Sequence, residues 1–126
     1  MSVVLDSSAV LAFVYKETGH DSVLPLIEGS RISAANWSEV LQKIAGFGGD
    51  ARRQATLLTA LGIEVEPLTA EDALTAAQLY PATRQAGLSL GDRCCLALAL
   101  RLGVAAVTAD KAWGNLEIGA EITLIR

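Results

Sequence analysis

The chain has 126 residues, of which 52% are hydrophobic and 19% charged, and it carries a net charge of −4 at neutral pH. That length fits one domain spanning residues 1–126, and an apolar content this high excludes a disordered chain. Ten basic residues against 14 acidic ones disfavour a surface that is basic throughout, and aromatics at 5% leave an aliphatic core.

Val3-Val4-Leu5 is a short apolar run that predicts a buried strand, and Asp6-Ser7-Ser8 behind it supplies helix-starting side chains. Ala9 to Tyr15 reads as a helix ended by Thr18-Gly19, and Asp21 to Ile27 as a second short one. Arg31-Ile32-Ser33 is a candidate strand. Trp37, Val40, Leu41 and Ile44 recur at helical spacing, with Asn36 or Ser38 near the start. The glycines and aspartate from Gly46 to Asp50 predict a break before a helix from Ala51 to Leu61. Ile63-Glu64-Val65-Glu66 alternates, which predicts a strand with one solvated face ending at Pro67. Thr69 and Asp72 have capping-box spacing at the head of a helix to Leu79, and Pro81 starts a further turn or helix ending at Gly87. Leu90-Gly91-Asp92 leads into a nearly all-apolar, buried helix from Cys94 to Leu102. Val104 to Val107 reads as a second central strand and Ile122 to Ile125 as the last. This alternation predicts an α/β domain with a mainly parallel central sheet covered by helices on both faces.

The two cysteines, Cys94 and Cys95, are adjacent. Neighbours do not readily close a disulfide, and with His20 as the one histidine they do not make a zinc site; they read as small core residues of a protein from a reducing, cytoplasmic compartment. The longest apolar stretch, Cys94 to Val107, is broken by Arg101 and too short for a membrane span. The amino terminus lacks the basic leader of a signal peptide, and Asp6 interrupts its apolar start.

Parallel sheets bind ligands beyond the carboxyl ends of their strands. Asp6 follows the first strand directly, and Asp110 follows Val107 after Thr108-Ala109. Each alone reads equally well as a helix N-cap. Asp92 borders the apolar helix, where a first-turn acid is also favoured by the helix dipole. Glu39 lies beside the core positions Trp37, Val40 and Leu41, and by itself reads as a solvated helix residue. Together the four weigh more, because carboxylates beside apolar positions are costly unless a cation pairs with them, and an oxygen-only ligand set suits magnesium or manganese. His20 sits in a turn and reads as a surface residue; Ser7 and Ser8 lack a histidine partner for nucleophilic catalysis. Gly46, Gly48 and Gly49 lack the Lys-Ser/Thr of a phosphate loop.

Four segments in series resemble the PIN domain, in particular the VapC-type toxins of bacterial toxin–antitoxin pairs. They are Val4-Leu5-Asp6-Ser7-Ser8-Ala9, Asn36-Trp37-Ser38-Glu39-Val40, the stretch from Leu88 to Ala99 containing Gly91-Asp92-Arg93, and Val107-Thr108-Ala109-Asp110-Lys111-Ala112-Trp113. The resemblance covers almost the whole chain. It implies a metal-dependent endoribonuclease in which Asp6, Glu39, Asp92 and Asp110 hold Mg²⁺ or Mn²⁺, Ser8 and Thr108 support the acids, and Arg93 either touches substrate phosphate or makes a structural salt bridge. It also implies water-mediated hydrolysis of structured RNA (a transfer RNA or a ribosomal RNA loop), a VapB-type antitoxin partner, and a homodimer or larger assembly with the antitoxin. Apolar helix residues for such contacts include Leu11, Phe13, Val14, Tyr15, Trp37 and Leu41, most of which helical spacing assigns to the core. The basic residues Lys43, Arg52, Arg53, Arg84, Arg93 and Lys111 are candidates for contacting RNA backbone. The Gly46–Gly49 break stands where the family often carries charge, which bears on substrate entry and antitoxin contact.

Two other readings compete. A phosphoacceptor receiver domain of similar length requires paired acids after the first strand and an aspartate after the third, and Ser7-Ser8 and Glu66-Pro67 occupy those places. A catalytically silent PIN-like module that binds RNA or protein differs from the nuclease only in whether the acids do chemistry.

Overall fold

In the computed structural model, which describes residues 2–126, five short strands pair in parallel in the order β3-β2-β1-β4-β5. They are β1 (Val4–Leu5), β2 (Arg31–Ser33), β3 (Glu64–Glu66), β4 (Ala106–Thr108) and β5 (Ile122–Leu124). The connections carry α1 (Ser7–Tyr15), α2 (His20–Val23), α3 (Ala34–Gly46), α4 (Ala51–Ala60), α5 (Ala70–Gln78), α6 (Tyr80–Thr83) and α7 (Leu90–Leu102). Short 3₁₀ turns follow at Leu24–Leu26 and Lys111–Asn115.

Strand side chains alternate between faces, and the core divides accordingly. Leu5, Ile32 and Val107 pack with Ala9 and Val10 of α1 and Val40 and Ile44 of α3. Val4 and Ala106, one residue out of phase, pack on the other face with Leu96, Leu98 and Cys95 of α7 and with Trp113. Each face is therefore dry, as the apolar central strands require. Both cysteines are free and buried, and burial pushes the Cys95 thiol well up from its ordinary range.

The chain builds β1, β2 and β3 outward on one side, then returns to lay β4 on the other side of β1. The reversal falls between β1 and β4, where Val4 pairs with Ala106 and Leu5 with Val107. Such a switch point, at the strands' carboxyl ends, is where open parallel sheets bind ligands.

Several boundaries differ from the sequence reading, each for a local reason. The first helix stops at Tyr15, because Lys16 takes a left-handed conformation at φ 53° and closes the C-terminus ahead of Thr18-Gly19. The second does not run to Ile27; it gives way to a 3₁₀ turn at Leu24, where Pro25 removes a backbone donor. The third starts at Ala34, with Ser33 rather than Asn36 or Ser38 as N-cap. The last central strand runs from Ala106 through Thr108 rather than from Val104 to Val107. The β3 strand lies at the sheet edge, so Val65 stays 38% exposed and only the preceding Ile63 reaches the core. The expected capping box of Thr69 with Asp72 is present on α5, and Ser89 with Asp92 forms a second one on α7.

Candidate active site

Asp6 occupies the junction of β1 and α1. Its amide donates to Val107 O at 2.9 Å, which ties it to the switch point. It stands at the N-cap of α1, yet its carboxylate makes no capping bond. Instead Oδ2 accepts from Ser8 Oγ at 2.6 Å and from Thr108 Oγ1 at 2.9 Å. The two hydroxyls are themselves fixed, since the Ala109 amide donates to Ser8 Oγ at 2.9 Å and the Asp110 amide to Thr108 Oγ1 at 3.1 Å. Asp6 is 3% exposed, and its Oδ1 is buried with no hydrogen-bond partner. Burial is the main reason that its pKa rises from 3.8 to about 6. The Ser8 and Thr108 hydroxyls oppose the rise, while the charges of Asp92 and Glu39 add to it.

Glu39 enters from α3. Its Oε1 accepts from Ser7 Oγ at 2.6 Å and from Asn36 Nδ2 at 3.0 Å. Asn36 is fully buried and also donates to Gly91 O at 2.9 Å, so it bridges α3 and α7. Gly91 leaves the space that Glu39 fills: a Cβ there would lie 2.5 Å from both carboxylate oxygens. The solvated reading of Glu39 therefore gives way to a side chain held by three elements. Ser7, Asn36 and Gly91 did not stand out as site residues in the sequence. The available signals were the Asn36–Glu39 spacing of three residues and a glycine in the first turn of an otherwise well-formed helix.

Asp92 and Asp110 are anchored as helix acids. The Ser89 amide donates to Asp92 Oδ2 at 2.8 Å, and the Ala112 amide to Asp110 Oδ1 at 3.0 Å. Burial raises the Asp92 pKa; the Ser89 bonds oppose this, and the charges of Glu39 and Asp110 reinforce it. Asp6, Glu39, Asp92 and Asp110 thus lie within one another's electrostatic reach in a chain. As they lie, no three His, Cys, Asp or Glu side chains among the described residues stand close enough to share one ion. Each acid is tethered to its own element, and like charges with no cation between them repel. The donor chemistry fits a hard divalent cation: carboxylate oxygens alone, one of them buried and unpartnered.

Arg93 makes no salt bridge among the described residues. Its Nη1 donates to Ala76 O at 2.9 Å, and its guanidinium sits 5.1 Å from the centre of the Tyr80 ring. The structural salt bridge that was one reading of Arg93 is thus replaced by a carbonyl bond and a ring contact. Of the six apolar candidates for partner contacts, Leu11, Phe13, Val14 and Trp37 pack partly against the core. Tyr15 is exposed and meets Phe47 edge to face at 5.6 Å.

The family model of the PIN domain matches residues 3–118. The chain belongs to the PIN domain family. No curated protein matches it by sequence. Among solved structures, this PIN domain resembles a toxin–antitoxin complex from Klebsiella pneumoniae at a TM-score of 0.77 and 15% identity, over 98% of each chain. It resembles VapBC2 from Rickettsia felis, bound to a DNA fragment from their promoter, at 0.72 and 16%, again over 98% of each. It also resembles Mycobacterium tuberculosis VapC20, a sarcin–ricin loop cleaving toxin, at 0.72 and 13%, over 94% of this chain and 98% of that one. At such identities the likeness is one of fold. Among the described residues, no helix is long and apolar enough to cross a membrane.

Proposed function

We propose that this PIN domain is a metal-dependent endoribonuclease and the toxin of a toxin–antitoxin pair. The observation that carries the reading is Asp6: a buried carboxylate at the switch point with Oδ2 held by two fixed hydroxyls and Oδ1 left unpartnered. A fold gains nothing from such a group, whereas a cation would satisfy it.

Asp6, Glu39, Asp92 and Asp110 would hold Mg²⁺ or Mn²⁺. Such an ion supplies Lewis acidity, which lowers the pKa of water and offsets charge growing on a phosphate. The chain's own contribution is positioning. Ser8 and Thr108 hold Asp6 Oδ2, so that Oδ1 alone stays open. Ser7 and Asn36 set the Glu39 carboxylate against α7. Backbone amides at the starts of α7 and the Lys111–Asn115 turn fix Asp92 and Asp110. Attack by water rather than by the 2′-hydroxyl, with the 3′-oxygen leaving, would give a 5′-phosphate and a 3′-hydroxyl. The substrate class is structured RNA, a transfer RNA or ribosomal RNA. The partners are a VapB-type antitoxin and a second copy of the chain, in a cytoplasmic setting. The named neighbours, a VapC20 that cleaves the sarcin–ricin loop among them, support this direction.

The test is incubation of purified protein with a total small-RNA pool and Mg²⁺ or Mn²⁺, against chelator and against Asp6→Asn and Asp92→Asn. Metal-dependent cutting that both substitutions abolish is expected. Cyclic-phosphate ends would overturn the mechanism. Binding without cutting, by wild type and variants alike, would establish the silent module instead.

A further inference from the structure

We propose that Tyr80 is a stacking platform for an RNA base at the rim of the acid site, held by Arg93 and flanked by Arg84. The inference rests on the nuclease reading and goes beyond it, because it assigns a residue that recognises RNA.

The placement follows from how α5 meets α7. Arg101, late in α7, pairs with Asp72, early in α5; Arg93, early in α7, bonds to Ala76, late in α5. The helices are antiparallel, so the carboxyl end of α5 and the α6 turn behind it lie at the amino end of α7. That is the end bearing Asp92. Tyr80 is the first residue of α6 and is 50% exposed.

The turn is rigid. Pro81 presets the backbone, and the buried Thr83 hydroxyl donates to Leu79 O at 2.8 Å. The Arg93 guanidinium over the ring orients it and withdraws one face from solvent. An aromatic that is exposed, restrained and backed by a cation has already lost the side-chain entropy that binding would otherwise cost. Arg84 lies one helical turn on, its amide donating to Tyr80 O at 2.9 Å, and it makes no salt bridge among the described residues. Positions four apart share a helix face, so a free cation flanks the ring. An aromatic face with a free cation beside it is the chemistry that binds single-stranded or splayed-out nucleotides, whatever the base. It also addresses a difficulty of this chain, whose net charge of −4 opposes approach of a polyanion to an acidic crevice.

The experiment uses the full chain carrying Asp92→Asn, in chelator and low salt, with a 5′-labelled total small-RNA pool as probe. Adding Tyr80→Leu is expected to weaken binding about tenfold, the scale of one lost base stack, while Tyr80→Phe stays within about twofold. In the otherwise wild-type enzyme, Tyr80→Leu should raise KM for the pool and leave kcat unchanged, with only the small fall in unfolding midpoint that loss of the Arg93 contact brings. A merely structural Tyr80 would lower the midpoint and leave KM where it is. As a check independent of substitution, RNA containing 5-bromouridine should photocrosslink to Tyr80. Unchanged affinity in Tyr80→Leu, equal losses in Tyr80→Leu and Tyr80→Phe, or a crosslink elsewhere would overturn the inference. If wild type cuts the pool and Tyr80→Leu keeps its KM, this inference alone fails. If wild type neither binds nor cuts RNA, it falls together with the nuclease reading.

Discussion

Replacing Asp6 by asparagine should stabilise the metal-free protein at neutral pH while abolishing activity. The carboxylate is buried, with one oxygen unpartnered, and its pKa rises from 3.8 to about 6, chiefly through burial. At 1.36 kcal/mol per pKa unit, ionised Asp6 costs the fold about 3 kcal/mol. Asparagine removes that charge and keeps an acceptor for Ser8 and Thr108. It also places an amide N–H where Oδ1 has no partner, which costs about 1–2 kcal/mol. The net gain at pH 7.5 is about 1–2 kcal/mol, or roughly 4–8 °C in unfolding midpoint for a domain of this size. The sign depends on pH. The folded state holds the proton more tightly than the unfolded chain, so the wild-type cost is absent below 3.8 and grows to its full value as pH rises through about 6. The advantage of the variant should therefore vanish, or invert, by pH 4. Thermal unfolding in chelator at pH 4, 6 and 7.5 checks this. A variant less stable than wild type at every pH, or a difference independent of pH, would refute the reasoning. Adding Mn²⁺ should then raise the wild-type midpoint and leave Asp6→Asn unmoved.

Gly91→Ala places a Cβ against the Glu39 carboxylate, whose flexible chain moves aside, while the helix gains up to about 1 kcal/mol from alanine. Cleavage should fall at least about tenfold, since Glu39 leaves its place, with an unfolding midpoint equal to or above wild type. Asn36→Ala strips a donor from both Glu39 and Gly91 O inside the protein, so activity and about 2 kcal/mol of stability in urea should be lost together. Arg101→Leu leaves the buried Asp72 without its two guanidinium bonds and should cost about 2 kcal/mol at pH 7. Burial alone would raise the Asp72 pKa, but the bonds from Arg101 and Thr69 outweigh it and hold it below 3.8. The stabilisation from this pair is thus present above 3.8 and fades as pH falls through the lower folded value, and the gap between variant and wild type should narrow in acid.

Which parts of this were legible depended on how far along the chain the partners lie. Helix caps and strand ends are local, so Asp6, Asp92 and Asp110 stood out as acids at element boundaries, and the Thr69–Asp72 capping box was visible as spacing. Strand alternation was enough to anticipate a parallel sheet, but not the order β3-β2-β1-β4-β5, which arises from packing. That order brings Ser7 to Glu39 and Asn36 to Gly91, across 32 and 55 residues of chain. Periodicity marks Asn36 only as a helix-starting residue, because nothing local reveals that its amide is buried and bridges two helices. The contacts of Arg93 were hidden for the same reason: its partners, Ala76 and Tyr80, belong to helices that only the fold sets beside it.

The four acids do not weigh equally as support for catalysis. Asp92 completes a capping box and Asp110 caps a 3₁₀ turn, so each has a structural occupation that would account for it in a protein that performs no chemistry. Asp6 and Glu39 have no such account. Asp6 holds an N-cap position without capping, and it is driven toward protonation by the fold that surrounds it. Glu39 is held by Ser7 and Asn36 in a space that exists because residue 91 has no side chain. Both arrangements spend stability, or forgo it, to keep a carboxylate oriented at the switch point. Unfavourable placements of this kind persist where a ligand absent from the bare fold makes them favourable. The case for a metal-dependent nuclease therefore rests on the two acids whose positions the bare fold does not explain, and the Asp6→Asn and Gly91→Ala experiments bear on each of them separately.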